Sequence, residues 1–212
     1  MRSPATRTLR TSLTDDELIL FDGLFDVWDT LESLLRENYS TWHNLPYSHE
    51  LDASALTHSL QALLDRGLIQ SRTEHRSGRD MTWFALTERG GDLWMLERQP
   101  VWERYCVDDC WPAEAGGDAW LLSVRSPLFE TARAFLNAAV RCRLYEVDME
   151  HLTVERKPAE ALIPWKTFDV VYELRVPVSS PAGGHVDWDL YENERTWWRN
   201  LNELGGLAIA RR

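Results

Sequence analysis

A chain of 212 residues with 44% hydrophobic and 27% charged residues has the balance of a globular protein, with one large or two small domains, and not that of a disordered or fibrous one. The formal charge of −11 repels phosphate backbones at long range and weighs against nucleic acid as a partner. Three cysteines, Cys106, Cys110 and Cys142, are too few and odd for a disulfide framework, and no secretory h-region or run of about 18 apolar residues is present, so a bacterial cytoplasmic protein is expected.

Residues 1–12 are polar. Thr14 and Glu17 then have the spacing of a capping box, and a long helix is expected from Asp15 to about Glu37. Leu18, Phe21, Leu24, Phe25, Trp28, Leu31 and Leu35 would line its broad apolar face, suited to a partner copy or to the rest of the chain. Asp15, Asp16, Asp22, Asp26, Asp29 and Glu32 would make the remainder acidic. A short helix is expected within residues 38–51.

The stretch Leu51–Arg98 is the most informative. Asp52 can cap a helix from Ala53, whose Leu56, Leu60, Leu63 and Leu64 recur at helical spacing. Gly67 supplies the left-handed stop. Two short strands, Ile69–Glu74 and Met81–Leu86, flank the polar turn His75–Asp80, and Thr87-Glu88 opens a second helix. The strings LQALLDRGLI and FALTERGG resemble the winged helix-turn-helix domains of bacterial regulators, the MarR-like and PadR-like groups. The resemblance covers roughly residues 15–98. It implies that the helix before the "RGLI" turn is a recognition helix and that the hairpin is a wing.

Pro100 marks the expected boundary between a winged-helix domain with a long first helix, residues 1–99, and a small α+β domain with a mostly antiparallel sheet, residues 100–212. Residues 101–117 read as a packed connection. A strand from Asp118 to Val124 precedes a helix started by Ser126-Pro127 and running to about Arg141, with Phe129, Ala132, Phe135, Leu136, Ala139 and Val140 inward. Strands follow at Leu144–Met149, at Leu152–Val154 and, most clearly, at Phe168–Val178, where Asp169, Glu173 and Arg175 would form the solvated face. Residues 179–184 read as a loop and Asp189–Leu204 as a last helix, whose apolar stripe is a second surface for a homodimer.

Ser54, Thr57, His58 and Gln61 form the polar face of the recognition helix, and such side chains can reach base edges. Arg72, Arg76 and Arg79 on the wing suit phosphate or minor-groove contact. The same helix lacks Arg or Lys before Arg66, which counts against DNA. His185, Asp187 and Asp189 are spaced as possible metal ligands, and Cys106 and Cys110 as half a zinc site. A helix cap and packed thiols account for them more simply, so no metal and no cofactor are expected. No G-x-S-x-G, phosphate-binding Gly loop or H-E-x-x-H is present, so no catalytic residue is named and no enzyme is expected.

Two functions remain. One is a dimeric DNA-binding transcription regulator whose C-terminal half senses a ligand or assists pairing. The alternative is an acidic protein-binding module of immunity or antitoxin type that covers a basic partner.

Overall fold

The computed structural model describes residues 13–35, 51–76, 78–113, 119–142 and 145–181. The fold is α+β, with two antiparallel sheets. The helix expected within 38–51, the helix at Asp189–Leu204 and the His185, Asp187, Asp189 motif lie outside the described residues.

Local chemistry starts three of the N-terminal helices as anticipated. Thr14 and Glu17 form the capping box of α1, Asp15–Leu24. Asp52 accepts from Ala55 N–H at the start of α3, Ala53–Asp65, and Gly67 follows with φ +66°. Strands β2, Ile69–Arg76, and β3, Arg79–Leu86, pair in unbroken register and run further than expected, because cross-strand pairing takes His75, Arg76, Arg79 and Asp80 from the anticipated turn. Thr87 caps α4, Glu88–Arg98. The side chain of Thr87 also donates to Gly67 O, tying the α4 start to the turn after α3.

The long first helix is not formed. α1 ends at Leu24, residues 29–30 become a strand, β1, and a short α2 spans Leu31–Leu35. Pairing across the sheet overrides the helical periodicity: Asp29 and Thr30 sit opposite Phe84 and Trp83 of β3, and Thr30 caps α2 by accepting from Ser33 N–H. The resulting sheet has the order β1-β3-β2. Leu20, Phe21, Leu24, Phe25 and Leu34 are consumed by the molecule's own core, so this segment offers no wide stripe to a partner.

Nor are all its acids outside. Asp22 is fully buried, accepting from the Trp94 indole at 2.8 Å and from Arg98 Nε at 3.0 Å. Asp26 is buried beside the Tyr105 hydroxyl. The pairing of Asp22 with Arg98 joins α1 to α4; taking both charges from water makes that pair a matter of alignment more than of net stability.

The second sheet follows. Residues 107–112, expected as part of a connection, form strand β4 on the edge of β5, Trp120–Ser126. Helix α5, Phe129–Arg141, begins three residues after Ser126, whose hydroxyl is spent on Tyr105 O and Leu128 N–H. Ala132, Phe135, Leu136 and Ala139 face the sheet as anticipated, whereas Val140 is exposed. β6, Tyr145–Val147, and β7, Thr153–Ile163, both pair with the long β8, Lys166–Pro181, which takes in part of the expected loop. The order is β4-β5-β8-β6, with β7 also on β8.

Two apolar clusters result. α5 and one sheet face enclose Leu122, Val124, Leu174, Val176 and Val178. The other cluster crosses residue 100: Leu162, Ile163, Trp165, Phe168 and Val171 of the β7–β8 hairpin pack with Phe21, Phe25, Leu86 and Trp94. Trp165 donates its indole N–H to Phe25 O at 2.6 Å. Its ring lies where a Cβ on Gly91 would stand, 2.0 Å from the nearest ring atom, so the close approach depends on glycine.

Candidate functional site

The polar residues of α3 stand together on its outer face: Ser54, Thr57, His58 and Gln61 are all exposed. Leu56, Leu60 and Leu63 are buried behind them, so the face is presented by a packed helix. Two members are engaged locally. Thr57 donates to Ala53 O at 2.7 Å, and the Gln61 amide donates to Asp65 at 2.8 Å. The face carries no cation.

Arg72, Arg76 and Arg79 share one face of the hairpin, as the register Arg72↔Trp83, Glu74↔Met81 and Arg76↔Arg79 requires. Each meets a carboxylate. Glu74 lies between Arg72 and Arg76, 3.2 Å from each, and Arg79 approaches Glu32 at 3.8 Å. Arg72 also stacks 4.3 Å over Trp28, and Arg76 5.4 Å over Trp83. Asp80 is held by His75 at 2.8 Å. The three arginines thus stand against Glu74 and Glu32, while Asp80 adds a negative charge on the opposite face of the hairpin. Exposed pairs of this kind contribute little, roughly 0.2–1 kcal/mol each, so a ligand can open them. What they do not supply is a net positive potential.

Three helix ends meet near the Gly67 turn. Arg66 bonds Glu17 of α1, and Arg89 of α4 donates to Arg66 O. This brings the exposed Asp15 and Asp16 to the same end of the molecule as Asp65, Glu88 and Asp92.

One polar cluster was missed by sequence reasoning. Glu173, expected on a solvated face, is 3% exposed. Ser123 of β5 donates to it at 2.6 Å, Lys157 of β7 at 2.6 Å and Arg175 of β8 at 2.8 Å. Burial would raise its pKa, but the hydrogen bonds from Lys157, Ser123 and Arg175 outweigh that and lower it to about 2. The bond to Glu173 raises the pKa of Lys157, and likewise that of Arg175. Alternation along β8 gave the face of Glu173; only the register against β5 and β7 shows which groups surround it.

Cys106 and Cys142 are buried thiols, and burial followed by the charge of Asp108 pushes the Cys110 thiol up, away from reactivity. Among the described residues no three His, Cys, Asp or Glu side chains converge as a metal site, and no helix is long and apolar enough to cross a membrane.

Family models, curated proteins and solved structures give no match to this chain. The functional reading therefore rests on the residues themselves.

Proposed function

We propose that this chain is a non-enzymatic winged-helix protein that works by binding another protein, its acidic first unit covering a basic partner as an immunity or antitoxin protein does. The observation that carries this reading is the charge balance around the hairpin, where Arg72 and Arg76 share Glu74, Arg79 approaches Glu32 of α2, and Asp80 is held by His75 on the other face. A reader of duplex DNA draws most of its affinity from cations set against phosphates. Here α3 has none, and the hairpin has no excess once the neighbouring Glu32 of α2 is counted, within a chain of net charge −11. The exposed Asp15, Asp16, Asp65, Glu88 and Asp92 suit a basic protein and would speed its encounter. The order α1, β1, α2, α3, β2, β3 and the strand order β1-β3-β2 support the winged-helix assignment. The small, odd cysteine count supports a reducing compartment for the protein.

The second reading, a dimeric transcription regulator, is favoured by the placement of α3 before a paired hairpin, which is how many DNA readers of this shape are built. A mobility-shift assay at low salt with genomic fragments separates the two. No retardation at micromolar protein is expected. Retardation abolished by Arg72→Ala, Arg76→Ala and Arg79→Ala together, with a salt slope of roughly −5 for a dimer, would replace the first reading by the second. The positive arm is co-purification with a basic protein that elutes as salt is raised, weakened when Asp65, Glu88 and Asp92 are neutralised.

A further inference from the structure

β2 is the outer strand of its sheet: among the described residues it pairs with β3 on one side and with no strand on the other. The ladder determines which main-chain groups face outward. Leu68 O accepts from Thr87 N–H where the β2–β3 pairing ends, and the pairing runs without a bulge from Ile69↔Leu86 to Arg76↔Arg79. Antiparallel pairs alternate between bonded and non-bonded positions, so the even-numbered residues of β2 turn their N–H and C=O toward β3. Ser71, Thr73 and His75 turn theirs to the open edge, and all three side chains are exposed.

Charge selects what such an edge can accept. A neutral strand would leave Arg72, Glu74 and Arg76 without opposite partners, which is how proteins discourage stray pairing at an edge. The order Arg72-Thr73-Glu74, however, is its own complement when reversed. With a twofold axis through Thr73, Arg72 stands opposite Glu74 of the partner subunit, in the more closely spaced, non-bonded position. Glu74 then stands opposite Arg72 of the partner subunit. Thr73 exchanges both main-chain bonds with its own image, and Ser71 does so with His75 of the partner subunit, about six bonds in all. Moving the axis by one residue sets Arg72 against its own image, or Glu74 against its own image with Arg72 opposite Arg76. Like charges directly opposite are destabilising, so both one-residue shifts are disfavoured. An axis through His75 would also oppose Glu74 and Arg76, but β2 ends at Arg76 and the ladder there is shorter, which favours Thr73.

We propose that β2 pairs with β2 of a second copy of this chain, antiparallel about Thr73. The two three-stranded sheets become one continuous sheet. The contact is only a strand wide, so the homodimer is reversible and falls at the small end of specific interfaces. This pairing does not depend on whether the molecule's other partner is protein or DNA.

Sedimentation velocity of the full chain, from low to high micromolar concentration, tests it. A monomer–dimer equilibrium is expected for the unaltered protein. Thr73→Pro removes an outward N–H from each copy while sparing the β2–β3 ladder, and should raise the dissociation constant about tenfold or more. Glu74→Arg, at an edge side chain, sets like charges opposite one another and should act in the same direction. Adding Arg72→Glu to Glu74→Arg should recover much of the loss. Circular dichroism and melting temperature verify that each variant folds; should Thr73→Pro not fold, the two charge variants carry the test. A chain that stays monomeric throughout, or a dimer indifferent to the charge variants, overturns the proposal.

Discussion

Glu173 keeps its charge in a place closed to water because three strands each send it a donor. Its folded pKa, about 2, lies below the ordinary carboxylate value of 4.5. A carboxylate lowered in the folded state contributes stability that is fully present above its unfolded pKa and is lost as pH falls through the folded one. The window is therefore about pH 4.5 down to 2, and the contribution at neutral pH is on the order of 3 kcal/mol. Glu173→Gln should lower stability by an amount of that order at pH 7. It should also flatten the acid limb of a denaturant-midpoint profile between pH 5 and 2, as measured by chemical unfolding at stepped pH. An unchanged acid limb would mean that other carboxylates govern acid unfolding. Gly91 offers a second residue-scale test. A methyl group there would meet the Trp165 ring at 2.0 Å, so Gly91→Ala should cost about 1–3 kcal/mol or more, despite alanine's better helix propensity.

At the scale of elements, the end of α4 is set by a conformation that glutamine tolerates poorly. Gln99 has φ +46° and its N–H returns to Met95 O, closing the helix. Glycine adopts this geometry without steric cost, so Gln99→Gly should stabilise the protein by roughly 0.5–1 kcal/mol, read as a rise in melting temperature. The elements easiest to anticipate were those whose ends are set within a few residues. The Thr14–Glu17 box, the Asp52 cap, the Gly67 stop and the Thr87 cap are all local hydrogen-bond chemistry. The elements read wrongly were those decided by a distant strand. Residues 29–30 left the helical pattern because β3 offers them a ladder, and residues 107–112 became a strand because β5 does. The candidate contact residues were legible as an exposed helix face and a hairpin. The neutralisation of the arginines was only partly legible, since Glu74 is two residues from both Arg72 and Arg76 but Glu32 reaches Arg79 only through the fold.

The whole molecule is bound by one apolar cluster that draws on residues from Leu20 to Val171. The β7–β8 hairpin inserts Trp165 between α4 and the α1–β1 turn, so unfolding one half strips apolar cover from the other. A single cooperative transition is expected, with coincident circular dichroism and fluorescence midpoints. Trp165→Ala should lower stability by about 3–5 kcal/mol, and should bring limited proteolysis to residues 100–112, where the intact chain is expected to resist cleavage. Separate transitions in the unaltered protein would mean that the cluster does not couple the halves.

The packing of three indoles has an optical consequence. Trp94, Trp102 and Trp165 lie with ring centres 6.0–6.4 Å apart and at steep mutual angles, one drawn from α4, one from the turn after it and one from the β7–β8 hairpin. Chromophores so close and so inclined share their excited states, and the shared transition splits into a pair of dichroic bands of opposite sign. The protein thus carries its own reporter of the seam between its halves. Light absorbed by any one of these rings is answered by all three while the seam is closed, and by each alone once it opens.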